Sequence, residues 1–160
     1  MAADMFLKLE GIKGESTDKA HKEWIDILSF SFGVSQSGTA SMGGGAGAGK
    51  ASFQDLSITK RADASTPMLM LNCAAGTHIK QADLVVRKAG GNQEEYYKVK
   101  MTNLLVSSFQ NGGSDGDSVP IETLSMNYSK IEFEYRPQTE QGTLGPPSKA
   151  GWDLKQNVKV

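Results

Sequence analysis

Residues 121–135 alternate strictly and then alternate again out of step. Leu124, Met126 and Tyr128 stand against Ser125, Asn127 and Ser129, after which Ile131, Phe133 and Tyr135 carry the apolar phase. Strand side chains point to opposite faces with a period of two, so this run predicts one long, half-buried strand. The phase change predicts a bend, as where a strand turns the corner of a barrel.

Other segments repeat the pattern. Over residues 5–10, Met5, Leu7 and Leu9 alternate with Phe6 and Lys8. Over residues 23–35, Trp24, Leu28, Phe30, Phe32 and Val34 share one face, with Ser29, Ser31, Gly33 and Ser35 on the other. Ile25 and Ile27 fall on the wrong side, which predicts a bulge near Ile27 or a strand covered on both faces at its start. Residues 84–88 and 95–109 flank the Gly-rich connection 89–93 and read as a hairpin. Residues 152–160 read as a last, lysine-rich strand. One segment departs from period two: Thr66 as N-cap, Pro67 at the first helical position and Gly76 at the stop predict a short helix over about 66–75. Its apolar residues, Met68 and Met70 among them, go almost all round, which predicts packing against the sheets. About seven strands, one helix and Gly-rich loops make the chain mainly β, a single domain over 1–160 built as a compact β-barrel or sandwich of two antiparallel sheets.

Residues 36–50 form a long Gly-rich loop with two competing meanings. Residues 44–50 supply the frame G-x-x-x-x-G-K of a phosphate-binding loop, but Ala51 stands where a metal-holding hydroxyl belongs. Residues 50–60 read as a strand where the phosphate-binding motif needs a helix N-terminus. What remains is an extension longer than a compact domain ordinarily carries. The acidic stretch 111–118 lacks the spaced oxygen ligands of a calcium loop and reads as a solvated turn.

Composition removes further classes. Seventeen basic and eighteen acidic residues, well mixed, leave a formal charge of −1, without the basic stripe that nucleic acid requires. Cys73 is the single cysteine, so no disulfide forms within the chain. No apolar run suggests membrane insertion, and the N-terminus lacks the pattern of a signal peptide, so synthesis in the cytoplasm is expected, with exit from the cell, if any, by another route. His21, in a charged turn, reads as a surface residue and His78 as a loop residue. Cys73 reads as a small packing group in the helix. Glu94 and Glu95 point to opposite faces, and Glu132 and Glu134 lie on a solvated outer surface. No catalytic, cofactor-binding or metal-ligating residues are expected, and the chain does not read as an enzyme.

An ordered set of short pieces carries a resemblance: residues 5–8 (MFLK), 14–16 (GES), 35–38 (SQSG), 43–50, 54–57 (QDLS), 65–67 (STP), 87–91 (RKAGG), 105–108 (LVSS), 135–138 (YRPQ) and 151–158 (GWDLKQNV). Together they are similar to the haemolysin-coregulated protein (Hcp) family, the tube protein of bacterial type VI secretion. The resemblance implies a β-barrel with a helix on its side, a homohexameric ring and stacked rings forming a hollow tube. It also implies a sheath around the tube, a tip or spike protein above it, export from the cell, and small effector proteins carried in the lumen. On that reading Gln36, Ser37, Gly38, Met42, Gly43, Gly44, Gly45, Gly47, Gly49 and Lys50 form an arm to a neighbouring subunit or ring. Ser29, Ser31, Ser125, Asn127 and Ser129 form a wet lumen wall that binds cargo weakly. The solvent side of an ordinary antiparallel sheet explains those five residues equally well. The competing expectation is a monomeric, ligand-binding β-sandwich with polar loops.

Overall fold

In the computed structural model, residues 3–38, 48–88 and 93–160 are described. The alternating runs become strands, and all the pairings are antiparallel: β1 Ala3–Leu9, β2 Ile25–Asp26, β3 Ser29–Ser31, β4 Val34–Gly38, β5 Ala48–Phe53 and β6 Leu56–Arg61, then, after helix α1 Thr66–Ala75, β7 Ile79–Lys88, β8 Glu95–Gly112, β9 Ile121–Tyr135, β10 Ser148–Asp153 and β11 Val158–Lys159. Nine strands form one sheet ordered β11-β10-β9-β8-β7-β1-β2, with β6 also on β9 and β3 on β6; β4 and β5 form a separate two-stranded ribbon. The fold is mainly β, as expected, but the sheet is not closed into a barrel.

The long strands β8 and β9 run through both halves of the large sheet. The first part of β8 pairs with β7, which carries β1, and the last part of β9 with β10; the first part of β9 pairs with β6, which carries β3. The bend predicted from residues 121–135 sits at the junction. In β9 the buried phase Glu122, Leu124, Met126, Tyr128 gives way to Ile131, and the neighbour changes from β6 to β10. Strand β8 switches with it, from Val99 and Met101 to Leu104 and Val106. Between them Asn103 takes a left-handed backbone at φ 52, a conformation that asparagine tolerates better than most residues. The pairs Met101↔Ile131 and Leu104↔Tyr128 keep one register across the switch.

The segment 23–35 is not one strand. Ile25 and Ile27 are buried, β2 ends at Asp26, and neither expected explanation holds. Instead the chain crosses from one edge to another: the amide of Ile27 donates to Met5 of β1 and the next amide, Leu28, to Thr59 of β6. Phe30 and Phe32 then pack on the core, while Leu28 and Val34 are exposed, contrary to the single-face reading. Residues 152–160 likewise divide into the end of β10, a turn and β11. Val160 lies over Gly151, where a Cβ would meet its Cγ2 at 2.6 Å.

The core fills the space between the two halves with Leu7, Leu9, Leu56, Ile58, Leu84, Met101, Leu104, Leu124 and Met126 among others. Each such side chain contributes about 1.5–3 kcal/mol by leaving water. Helix α1 inserts Leu69 and rests Cys73 against this core. Its cap position is Ser65, one residue before the expected Thr66, and Gly76 closes it in the left-handed conformation. Met68, Met70 and Leu71 are exposed, so the helix packs by one side only.

Candidate functional site: a hydroxyl-lined sheet face and a lone ribbon

The outward positions of β3, β6, β9 and β8 fall in register across four strands. Ser31 lies opposite Ser57, Ser57 opposite Ser125, and Ser125 opposite Ser108. The next row is Ser29, Thr59, Thr123 and Gln110. Directly paired residues share a face, so eight uncharged polar side chains form a continuous surface. All are exposed or half-buried. The structure thus brings Ser29, Ser31 and Ser125 together, and Asn127 and Ser129 continue the outward parity of β9 towards its bend.

Asp55, in the turn between β5 and β6, gathers one end of this surface. It accepts from Ser107 at 2.6 Å and from Asn127 at 2.9 Å, while Ser125 bonds Ser107 at 2.7 Å and Ser108 at 2.5 Å. Beneath it the Tyr128 hydroxyl donates to the Gln54 carbonyl at 2.8 Å. Burial, with the Asp55 charge nearby, pushes that phenol up to about 12, so it stays a donor at any ordinary pH. Hydroxyls both donate and accept, and here they satisfy one another. Such a surface exchanges partners with water at little cost and presents no fixed charge apart from Asp55. Sequence reading missed Ser57, Thr59, Ser107, Ser108, Thr123 and Gln110. The same period-two parity would have found Ser57, Thr59 and Thr123 had 56–61 been paired with 121–126.

The other half of the sheet has a different outer face. Lys8, Asp83, Lys100 and Glu132 form one cross-strand row of alternating charge. Lys98, Glu134 and Lys149 form the next. This confirms the solvated surface expected for Glu132 and Glu134. A groove of about 420 Å³ crosses it, floored by Val85, Val99, Phe133 and Gly151.

The Gly-rich segment is partly ordered as structure rather than loop. Gln36, Ser37 and Gly38 lie in β4 and Gly49 and Lys50 in β5, paired through Val34↔Phe53, Ser35↔Ser52 and Gln36↔Ala51. Met42, Gly43, Gly44, Gly45 and Gly47 lie outside the described residues. Lys50 is followed by strand, not helix, so the phosphate-loop geometry is not built. Among the described residues no other strand pairs with this ribbon. A two-stranded sheet alone is marginal in water, and both of its edges offer unpaired backbone groups.

Two buried clusters were not foreseen. Lys60 and Glu122, both fully buried, pair at 2.5 Å, and Glu122 also accepts from Thr66 and Asn111. His21, expected at the surface, is 2 % exposed and lies between Asp18 and Glu95. Among the described residues no group of three His, Cys, Asp or Glu is placed to hold a metal. No described helix is long and apolar enough to cross a membrane.

Residues 6–135 match the family model described as type VI secretion system effector, Hcp. The chain is 50% identical, over 162 residues and the full length of both, to Protein hcp1 of Pseudomonas aeruginosa. A solved type six secretion system protein superposes with a TM-score of 0.94 at 33% identity, covering 99% of this chain and 100% of that one. Hcp1 from Salmonella typhimurium gives 0.83 at 38% identity over the whole of both chains.

Proposed function

The chain belongs to the Hcp family of type VI secretion, structural and secreted tube proteins rather than enzymes, and from that premise we propose that it is a subunit of the inner tube. Six copies close into a ring and rings stack into a hollow tube. The tube lies within the sheath, beneath a tip or spike protein, and carries small effector proteins. The subunit is cytoplasmic before firing and leaves the cell through the machine.

The observation that carries this reading is the pairing of two features on one subunit: a continuous hydroxyl face and a ribbon with which no other described strand of its own chain pairs. Head-to-tail assembly uses two different surfaces of each copy. The ribbon, with Gln36, Ser37, Gly38, Gly49 and Lys50, supplies backbone edges for a neighbouring subunit or ring. Ordering it costs conformational entropy that docking offsets. The hydroxyl face, centred on Ser31 and Ser125, then lines the lumen. A neutral, self-satisfied wall holds cargo weakly enough to release it.

Negative-stain microscopy and mass photometry of the purified protein test this reading. Rings of six subunits are expected at micromolar concentration. A strict monomer at that concentration overturns the reading and favours a monomeric ligand-binding β-sandwich.

A further inference from the structure

Residues 14–24 form a loop closed on itself. Gly14 and Ser16 donate their amides to the carbonyls of Glu23 and Trp24, and Glu23 donates back to Ser16. The fit is close at its neck: a Cβ on Gly14 would lie 2.4 Å from the Trp24 carbonyl oxygen. The tip reaches over the outer face of β1 and is tied to the body by side chains. The His21 ring stacks on Phe6 of β1 at 4.3 Å, with planes 3° apart, and meets the edge of Trp24 at 4.8 Å. Beneath this cover Phe6 is 4 % exposed.

Both ring nitrogens of His21 face carboxylates. Nδ1 lies 2.7 Å from Asp18 on the loop, and Nε2 lies 2.6 Å from Glu95 on β8. Ionised carboxylates only accept hydrogen bonds, so the two contacts together require a hydrogen on each nitrogen, that is, an imidazolium. The chain of charge continues outward. Arg87 of β7 donates to Asp18 at 2.6 Å and to Asp4 of β1 at 3.3 Å, and Lys98 approaches Glu95 at 3.4 Å. Burial first, and then the charges of Asp63, Asp4 and Asp18, raise the pKa of Asp26 on β2. Lys8 lies over Trp24 at 5.9 Å. Signs therefore alternate from Lys98 through Glu95, His21, Asp18 and Arg87 to Asp4, and the histidine is the one member whose charge changes between pH 5 and 8 in ordinary surroundings.

We propose that the loop 14–24 is a proton-dependent clasp, closed over Phe6 by a doubly protonated His21 and released when the ring loses one proton. A neutral imidazole has a single N–H, so either Asp18 or Glu95 then faces a ring lone pair. The contact turns from attractive to repulsive at a buried position. The acid side is firm: Arg87 first, and then His21, hold the Asp18 carboxyl at about 2. Its contribution is present above the free value of about 3.9 and is lost only as the pH falls towards 2. The histidine acts on the other side: with both nitrogens protonated the ring donates to Asp18 and to Glu95, and with one proton gone one of those carboxylates meets a lone pair. The clasp thus stays shut in mild acid and opens on the alkaline side, uncovering an apolar ring beside the row of alternating charges. The proposal concerns a single subunit and does not depend on the tube reading.

Hydrogen exchange of the full-length protein at pH 6 and pH 9, corrected for intrinsic rates, tests it. Protection of the His21, Glu23 and Trp24 amides is expected to fall at least tenfold at pH 9, while the β8–β9 ladder stays protected. Glu95→Gln supplies a carboxamide that accepts from the charged ring or donates to the neutral one, so it is expected to abolish the pH dependence with the loop closed. Nitrogen-15 spectra of the wild-type ring at pH 6 are expected to show two protonated nitrogens. Equal loop protection at both pH values, an unaltered pH dependence in Glu95→Gln, or a bare ring nitrogen in the closed loop overturns the proposal.

Discussion

Lys60 and Glu122 continue the inward parity of Leu56 and Ile58 on one strand and of Leu124 and Met126 on its neighbour, yet both carry charge. The core accepts them because every group is matched: Lys60 also reaches Asp63 at 3.0 Å, and Thr66 and Asn111 complete the Glu122 carboxylate. Removing one partner leaves the other charge buried and uncompensated, which costs far more than the pair itself contributes. Lys60→Met is therefore expected to lower stability by about 3–5 kcal/mol, whereas Lys60→Met with Glu122→Leu restores most of it. Urea unfolding followed by tryptophan fluorescence measures both. Parity alone pointed these two residues inward, but charge argued the other way. His21 shows the same limit, since its partners come from Asp18 nearby and from Glu95, 74 positions away.

At the scale of elements, the alternating runs foretold β1, β7, β8 and β9, and the Pro and Gly signals placed the helix to within a residue of its cap. Periodicity failed where a short stretch serves two edges in turn. Residues 23–35 change both partner and phase at Ile27 and Leu28, a tertiary decision that a period of two does not register. The phase switch of β9 was legible, whereas its counterpart in β8 was not, because the apolar run Leu104, Leu105 and Val106 hides the parity there. The left-handed backbone at Asn103 penalises a β-carbon branch. Asn103→Val is expected to cost about 1–2 kcal/mol, and Asn103→Gly to be close to neutral. Thermal unfolding of the two variants distinguishes this from a simple loss of polarity, since both remove the same amide.

For the whole molecule, the sequence already contained the serine-bearing parity of a polar wall, and only the order of strands revealed that four strands share it. The ribbon was legible as an extension but not as paired strands, because its glycines and alanines carry no alternation. If it joins neighbours, bulky β-branched residues at Gly44 and Gly45 weaken rings or their stacking while the monomer folds normally. Sedimentation velocity beside circular dichroism reads assembly and folding separately, and intact stacked rings would show the ribbon to be merely solvated. The shared switch at Asn103 and Ser129 has a mechanical side as well. Because β8 and β9 pass unbroken from the hydroxyl face to the charged face, the two faces are bound by continuous covalent backbone and not by packing alone. A force applied to one face is therefore passed to the other along two polypeptide cables laced by their ladder, which couples the two halves of the molecule through backbone.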